Sequence, residues 1–481
     1  MPWTRTTSTV IALPPKDIWA VVADITRWSQ WQPAVAHARL DGPLRLGVTG
    51  AYGLTHRAFG PLHARTAPPL EVTALETGRM LEITQPNPAG AMTVRWVVEA
   101  DVVGTRLTQT VTAKGATMPA VVAGVAAALA RDFGLSALRL ARLAGLTDDP
   151  ALLRVVVAGG SGALGRLLAS DLACRGHRVS LLTRRRDDRL PLEQIVWDGR
   201  TVGSWADALE RGDDDRAGVG LVNLAGRLVD VRPTSANIAS LRTSRVDSTH
   251  ALVEASQRTD HPLEVWVQAS TTAIWSDAGE ARLDETSPLP DPGLPQMTGV
   301  ARPWEKATDG ARADRLTLLR TSIVLDRDAP ALTMLARPTT AGLGGRVGSG
   351  RQWFSWIHRD DWVRVCRAAL GLDPAVALPD GPVVAAAPHP VRNAELMAAL
   401  RRTLRRPAAP PTPGALLRIG AVALRSDPAL ALTGRHCTST VLAEAGFTFE
   451  HPTIDEALAD LYDATSASGA PSTRATPDPQ D

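Results

Sequence analysis

Residues 154–165 read Arg-Val-Val-Val-Ala-Gly-Gly-Ser-Gly-Ala-Leu-Gly. An aliphatic run leads directly into Gly159, Gly162 and Gly165, and a helical pattern follows as far as Arg175. This spacing suits a tight turn in which the backbone approaches a pyrophosphate and the first amides of the next helix face the phosphate. A second strand-like run at 177–183 makes the pattern more specific. The residues predict a dinucleotide cradle, with a merely tight strand–helix turn as the alternative.

The residues after the second strand distinguish the two nicotinamide dinucleotides. An NAD site usually places an Asp or Glu about 20 residues past the glycines, on the ribose 2′-hydroxyl. This chain has Thr183-Arg184-Arg185-Arg186 there, and its first acid, Asp187, comes later. Because arginine forks match phosphate oxygens, the run predicts NADP(H), with Arg184 on the 2′-phosphate. A solvated arginine run in an arginine-rich protein is the alternative.

The pattern of hydrophobic and polar residues along the chain changes near residue 150. Short aliphatic runs alternate with helical stretches in 151–463, which predicts a doubly wound parallel sheet of the Rossmann α/β class. Residues 1–150 combine strand-like stretches with short helices, close on a long helical stretch at 119–143 and end in a polar breaker. We expect an α+β ligand-binding domain at 1–147, a Rossmann domain at 152–390, a small helical substrate lobe at 391–463 and a disordered tail at 464–481.

Composition excludes several classes of function. The net charge is +2 with acids and bases interspersed, so no basic field points to nucleic acid. The longest apolar run, residues 115–130, falls short of the roughly 20 residues that span a bilayer. Three scattered cysteines and the lack of a signal-peptide pattern favour a reducing, cytoplasmic location. No residues show the spacing of metal ligands along the chain.

Two stretches near the N-terminus point to a known fold. They are residues 13–19, Leu-Pro-Pro-Lys-Asp-Ile-Trp, and residues 24–31, Asp-Ile-Thr-Arg-Trp-Ser-Gln-Trp. With the element order around them, they resemble the helix-grip fold of the SRPBCC superfamily, in its polyketide cyclase/dehydrase branch. In that family a curved sheet wraps a long helix around an apolar cavity, which implies a hydrophobic ligand here. The alternative is that Trp19, Trp28 and Trp31 are core residues.

Four stretches of the second segment point to a known superfamily. They are Asn-Leu-Ala-Gly at 223–226, Ser-Arg-Val-Asp-Ser-Thr at 244–249, Leu-Arg-Thr-Ser-Ile-Val-Leu at 319–325, and a glycine-rich stretch at 342–361 that ends in Trp-Ile-His-Arg-Asp-Asp. They resemble the extended short-chain dehydrogenase/reductase superfamily, in its atypical epimerase-like branch with a C-terminal domain of unknown function. The resemblance implies Arg351 and His358 near a small-molecule substrate. Helix-pair dimers are common in the superfamily, so the question of a homodimer stays open. The implied NADP(H) contacts are Gly159, Ser161, Gly162, Leu164, Gly165, Thr183, Arg184, Leu224, Ala225 and Arg245.

The catalytic half of this expected site lacks its usual residues. In the superfamily a Tyr transfers a proton, and a Lys four residues later lowers the pKa of that Tyr. The chain has two tyrosines, at 52 and 462, and the resemblance aligns Ala301 and Glu305 with the Tyr and Lys positions. Lys306 follows, but one residue turns a helical side chain by about 100°, so we expect it to face solvent.

The remaining candidates for chemistry are few. Thr271 and Ser270, in the loop after the fifth strand, can hydrogen-bond a substrate carbonyl. Trp275 stands where the branch often has a Tyr and cannot act as an acid or base. Other acid–base candidates, each also readable as structural or surface residues, are Asp277, Asp284, Glu285 and His358.

Two functions therefore stay open. The first is an NADP(H)-dependent oxidoreductase or epimerase that acts on an unidentified small molecule without a Tyr–Lys pair. The second is a non-catalytic protein that binds NADP(H) and a hydrophobic ligand as a sensor or carrier. The intact glycine cradle and the intact glycine-rich cleft stretch favour the first hypothesis, while Ala301, Glu305 and Trp275 favour the second.

Overall fold

A computed structural model of the chain describes residues 2–55, 68–87, 89–213, 216–414 and 427–462. The tail predicted to be disordered, 464–481, lies outside these residues. Among the helices in the described ranges, none is long and apolar enough to cross a bilayer.

The N-terminal domain is a curved antiparallel sheet around a helix. Its strands are β1 (Trp3–Ile11), β2 (Val35–Leu40), β3 (Thr49–Leu54), β4 (Leu70–Glu76), β5 (Met80–Asn87), β6 (Gly90–Ala100) and β7 (Thr105–Gly115). The sheet order is β1-β7-β6-β5-β4-β3-β2. Helices α1 (Pro15–Ala23) and α2 (Trp28–Trp31) follow β1. Alternate side chains along the strands enter the core, as Leu107, Val111 and Ala113 do in β7.

The long helix predicted at 119–143 is interrupted in the structure. It consists of α3 (Met118–Val121), a π-helical turn (Val122–Ala126), α4 (Ala127–Arg131) and α5 (Phe133–Leu143). Asp132, between the last two, leaves the helical region with φ −110° and ψ 40°. The break lets Gly134 meet the next domain, where a Cβ would lie 2.6 Å from the Ser170 hydroxyl.

The second domain is built on a parallel sheet. The strands of this part of the chain are β8 (Arg154–Ala158), β9 (Val179–Thr183), β10 (Glu193–Val196), β11 (Val219–Asn223), β12 (Val265–Thr271), β13 (Arg282–Leu283), β14 (Leu316–Thr321), β15 (Ile323–Leu325), β16 (Trp353–Phe354), β17 (Trp356–His358), β18 (Gly381–Ala385), β19 (Val391–Arg392) and β20 (His436–Cys437). The order in the parallel sheet is β10-β9-β8-β11-β12-β14-β18. The order reverses between β8 and β11, and ligands of such sheets bind at the carboxyl edge beside that reversal. The predicted Rossmann α/β class with an N-terminal helix-grip domain is confirmed.

Helices cover the parallel sheet and build the C-terminal lobe. The short strand pairs β13–β20 and β16–β19 tie this lobe to the loops above the sheet, and β15–β17 pairs two segments that follow β14. The helices are α6 (Ala163–Cys174), α7 (Ser235–Arg258), α8 (Thr298–Lys306), α9 (Pro330–Thr340), α10 (Arg359–Ala369), α11 (Asn393–Thr403), α12 (Ala429–Leu432), α13 (Thr440–Glu444) and α14 (Ile454–Tyr462), with 3-10 turns at Ile25–Arg27, Ser204–Leu209 and Thr272–Trp275.

The N-terminal domain packs firmly on the rest of the chain. The amide of Ala12 donates to the carbonyl of Cys174 at 2.8 Å, and α5 lies against α6. Arg5 of β1 is buried and pairs with Asp326 and Asp328 in the loop after β15. Strand β1 also contacts α14, so all three parts of the chain meet at this junction.

Candidate functional site

The glycine loop lies between β8 and α6, at the carboxyl edge of the sheet. Gly159 has a left-handed φ of +76°, and a Cβ there would lie 2.8 Å from the carbonyl oxygen of Leu224. A Cβ on Gly165 would lie 2.6 Å from the Cα of Gly160, so α6 packs against the turn. Gly162 precedes α6 and offers no side-chain cap, which leaves the first amides of the helix free to face an anion.

The second strand ends beside this loop with an uncompensated positive charge. The hydroxyl of Thr183 donates to the carbonyl of Arg185 at 2.8 Å and lies 3.3 Å from the Ser161 hydroxyl. Arg184, Arg185 and Arg186 are exposed, and no carboxylate of the described residues pairs with them. Their guanidinium groups are therefore available to an anionic ligand.

The loop after β11, on the other side of β8, packs against a buried arginine. Arg245, on α7, is 9% exposed and donates to the backbone carbonyls of Leu241 and Arg227 at 3.2 and 2.9 Å. Its guanidinium stacks on Trp304 at 4.9 Å, and burial lowers the pKa of Arg245 to about 10. A cation buried without a carboxylate carries a desolvation penalty, which an anionic ligand in the cleft would offset.

Ser270 and Glu305 belong to one buried network. The Ser270 hydroxyl donates to Oε1 of Glu305 at 2.6 Å, and Arg320 grips the same carboxylate through Nε and Nη2 at 2.9 and 3.0 Å. All three side chains are less than a tenth exposed. Arg320, an arginine in an aliphatic strand, was not among the predicted site residues. A cation at such a position is a sequence signal for a buried carboxylate partner.

Thr271 has a different hydrogen-bonding pattern. Its hydroxyl oxygen accepts the amide of Ala273 at 3.1 Å and so caps the turn after β12. Within the described part of the chain, no acceptor takes the proton of this hydroxyl. Ala301 is buried in α8, and Lys306 is exposed as predicted. The Nε1 of Trp275 donates to the carbonyl of Ser287 at 3.3 Å.

The three acids of the cleft-side loops hold backbone amides. Asp277 accepts the amide of Gly434 at 3.0 Å, and Asp284 accepts the amide of Thr286 at 2.9 Å. Glu285 accepts the amide of Val384 at 2.8 Å and the amide of Thr440 at 3.0 Å. Asp277 and Glu285 thus join the C-terminal lobe to the loops and strands of the Rossmann domain, and Asp284 closes its own turn.

The two predicted substrate residues lie in different surroundings. Arg351 is exposed, with Nη2 4.0 Å from Oε1 of Glu280. His358 is fully buried at the end of β17 and contacts Asp460 and His451. The structure therefore does not bring them together on one surface.

The N-terminal domain encloses a small apolar cavity. In the described residues its volume is about 20 Å³, and it is lined by Trp28, Gln32, Val35, Tyr52, Ile83, Met92, Val94, Trp96 and Leu129. An apolar cavity that holds a benzene-sized molecule has a volume of about 150 Å³. A hydrophobic ligand would have to widen this cavity.

Comparisons with known proteins cover both halves of the chain. Residues 2–145 match the model of the polyketide cyclase / dehydrase and lipid transport family, residues 155–295 that of the NAD dependent epimerase/dehydratase family, and residues 412–461 that of a domain of unknown function, DUF1731. The epimerase family protein SDR39U1 of Bos taurus is 30% identical over 313 residues, which are 64% of this chain and 99% of that protein. An epimerase family protein of Mycobacterium tuberculosis is 32% identical over 307 residues, 63% of this chain and 96% of the relative.

Two solved structures extend the comparison. Human epimerase family protein SDR39U1, solved with NADPH, is 27% identical with a TM-score of 0.54, over 64% of this chain and 99% of that one. A nucleoside-diphosphate sugar epimerase from Corynebacterium glutamicum has a TM-score of 0.57 at 23% identity, over 95% of this chain and 90% of that one, and shows the fold alone.

The glycine loop, the sheet order and the exposed arginines define a dinucleotide-binding Rossmann protein. Within that class, the chain belongs to the epimerase family that includes SDR39U1, since it covers nearly all of relatives that are 30% identical or more.

Proposed function

We propose that this chain is an NADP(H)-dependent oxidoreductase of the epimerase family that acts on a small molecule without a Tyr–Lys pair. The observation that carries the proposal is the glycine cradle beside the three unpaired arginines. A Cβ at Gly159 or Gly165 would collide with the backbone at Leu224 or Gly160, so the tight turn that brings the backbone close to a pyrophosphate requires glycine at both positions. The human relative solved with NADPH supports the same cofactor class.

In this proposal each half of the dinucleotide has its own residues. The amides after Gly162 and the hydroxyl of Ser161 face the pyrophosphate, and Arg184 binds the 2′-phosphate. The remaining contacts, from Leu164, Thr183, Leu224, Ala225 and Arg245, follow from their places around the same edge of the sheet. The cofactor supplies hydride transfer.

The reacting end relies on Thr271 rather than Ser270. Ser270 gives its proton to Glu305, so it positions the loop and cannot donate to substrate. The Thr271 hydroxyl keeps its proton and can donate a hydrogen bond to a substrate carbonyl oxygen, where negative charge develops on reduction. With no tyrosine in the described cleft residues, the proton that completes the reaction comes from water.

A non-catalytic role is the second candidate, because of one specific observation. The Glu305 carboxylate is neutralised by Arg320, and Ala301 offers no acid–base group, so the positions of the Tyr–Lys pair are structural. In this role the chain would bind NADP(H) as a sensor or carrier, with a hydrophobic ligand in the N-terminal domain. Mass spectrometry of co-purified small molecules tests both candidates.

Replacing Arg184 with alanine is expected to weaken NADPH binding by about 10- to 100-fold and to leave NADH binding unchanged. The reason is the loss of charge-assisted hydrogen bonds to the 2′-phosphate. Isothermal titration of both cofactors measures the change. Arg200→Ala, which removes an exposed arginine after β10, is the control and should alter neither affinity. An unchanged ratio of NADPH to NADH affinity in Arg184→Ala would show that the 2′-phosphate binds elsewhere.

Replacing Thr271 with alanine is expected to lower NADPH oxidation by about 10²- to 10³-fold, the usual cost of losing one donor to a developing oxyanion. The assay follows NADPH absorbance with a panel of aldehydes, ketones and nucleotide sugars. Thr271→Ser keeps the hydroxyl and should keep most of the rate. If the unmodified protein binds NADPH but oxidises it with no member of the panel, the non-catalytic role is favoured.

A further inference from the structure

Four metal-binding side chains converge at the junction of the Rossmann domain and the C-terminal lobe. They are His358 at the end of β17, Asp360 in the first turn of α10, His451 before α14, and Asp460 in its last turn. One donor atom from each lies within 4.8 Å of those from the other three. This cluster is separate from the glycine cradle, since none of its members follows a strand of the parallel sheet.

A buried nitrogen without a regular partner is directed into this cluster. His358 is fully buried, and its Nε2 lies 3.2 Å from Oδ2 of Asp460 without a hydrogen bond of regular geometry. The ring of His451 lies against that of His358, with centroids 3.9 Å apart. Two imidazoles and two carboxylates lie within reach of one another here, and the contact between His358 and Asp460 is poorly formed, so the group is a candidate ligand set for a cation.

We propose that His358, His451 and Asp460 bind a zinc ion and that Asp360 orients His358. Two imidazoles and a carboxylate are a ligand set that zinc prefers, with bonds of about 2.0–2.2 Å. Tetrahedral ligand atoms then lie roughly 3.3 Å apart, so donors now within 4.8 Å have to move by about 1 Å or less. Side-chain rotation alone supplies such a shift.

The hydrogen bonds of His358 define the part played by Asp360. Nδ1 accepts the amide of Asp360 at 3.2 Å, so the ring proton is on Nε2 while no metal is bound. Zinc binding at Nε2 would require the ring proton to move to Nδ1. The hydrogen bond from the Asp360 amide to Nδ1 would then be lost. Oδ2 of Asp360 is 3.8 Å from Nδ1 and can accept the relocated proton, as carboxylates do beside zinc-bound histidines.

The charges nearby leave room for a cation. Arg359 is shared between Asp326, at 3.5 Å, and Oδ1 of Asp360, at 3.4 Å. Asp460 makes its ion pair with His358, and Arg359 acts on Asp460 electrostatically from beyond ion-pair distance. The four donor residues lie between α14 and the β17–α10 segment. Bound there, zinc would fasten α14 to the Rossmann domain.

The test is the zinc content and thermal stability of the full, untagged chain. After dialysis against micromolar Zn²⁺, plasma mass spectrometry should find one zinc per chain. Chelation should lower the melting temperature by about 10 °C, the shift expected when free metal is roughly a thousandfold above its dissociation constant. His451→Ala and Asp460→Asn should bind no zinc, and Asp360→Asn should bind it about 10- to 100-fold more weakly.

The matched control is Asp455→Asn, which removes an exposed carboxylate from the same helix and should keep the zinc. Absence of zinc from the unmodified chain, together with a melting temperature that EDTA and added Zn²⁺ leave unchanged, would overturn the proposal even if the variants fail to fold. Full zinc occupancy in Asp460→Asn would overturn it as well. Cobalt loading adds a spectroscopic test, because four-coordinate Co²⁺ absorbs strongly in the visible range.

Discussion

Replacing Glu305 with alanine is expected to lower the melting temperature of the chain by roughly 6 to 20 °C. The variant removes the acceptor of two Arg320 hydrogen bonds and of the Ser270 hydroxyl. Arg320, 6% exposed, is left as a buried and unpaired charge, which typically costs about 3–5 kcal/mol. For a domain of about 150–250 residues, each kcal/mol of unfolding free energy corresponds to a change of roughly 2–4 °C in the melting temperature. Calorimetry or circular dichroism on heating measures the shift.

The neighbouring residue supplies a control for this prediction. Lys306→Ala removes an exposed side chain from the same helix and should change stability by no more than about 0.5 kcal/mol. A double variant, Glu305→Leu with Arg320→Met, should recover much of the lost stability, since apolar pairs of similar volume replace buried ion pairs well. Equal melting temperatures for Glu305→Ala and Lys306→Ala would contradict a structural role for the carboxylate.

Much of the fold could be predicted from short-range patterns. The aliphatic runs at 155–157, 179–182 and 265–267 became strands of the parallel sheet because each is buried on both faces. Strand β10, Glu193–Val196, was missed because it is an edge strand whose mixed residues are partly exposed. The interruption at Asp132 was missed too, since it depends on packing between domains rather than on the local sequence.

The candidate site divides in the same way. The glycine turn between β8 and α6 could be predicted because glycine spacing reports a backbone geometry that side chains would block. The hydrogen bonds of Ser270 and Thr271 could not, because the surrounding packing decides their direction. Ser270 and Thr271 look equivalent in sequence, yet one gives its proton to Glu305 and the other keeps it.

The proposed zinc site, formed by four residues, could not be predicted from the sequence at all. Its residues stand at 358, 360, 451 and 460, so no local spacing indicates a shared ligand. They meet because α14 returns to the junction where β1 and the loop after β15 also pack. Sequence reasoning without contacts therefore predicts no metal site there.

Replacing Gly159 with alanine is expected to weaken NADPH binding by at least about 100-fold, or roughly 2.7 kcal/mol. The φ of +76° strains any residue with a Cβ, and that Cβ would lie 2.8 Å from the carbonyl oxygen of Leu224. Because this neighbour is backbone, the loop itself has to shift, and it then loses the close approach that a pyrophosphate needs. Titration calorimetry with NADPH measures the loss of affinity.

The control for this variant separates backbone strain from damage to the cradle. Gly199 has a similar φ of +71°, and a Cβ there would meet nothing closer than 3.9 Å. Gly199→Ala should therefore lower stability by about 1 kcal/mol and leave NADPH affinity unchanged. NADPH binding that survives in Gly159→Ala while the protein stays folded would place the dinucleotide outside the glycine loop, and the proposed oxidoreductase function would lose its main support.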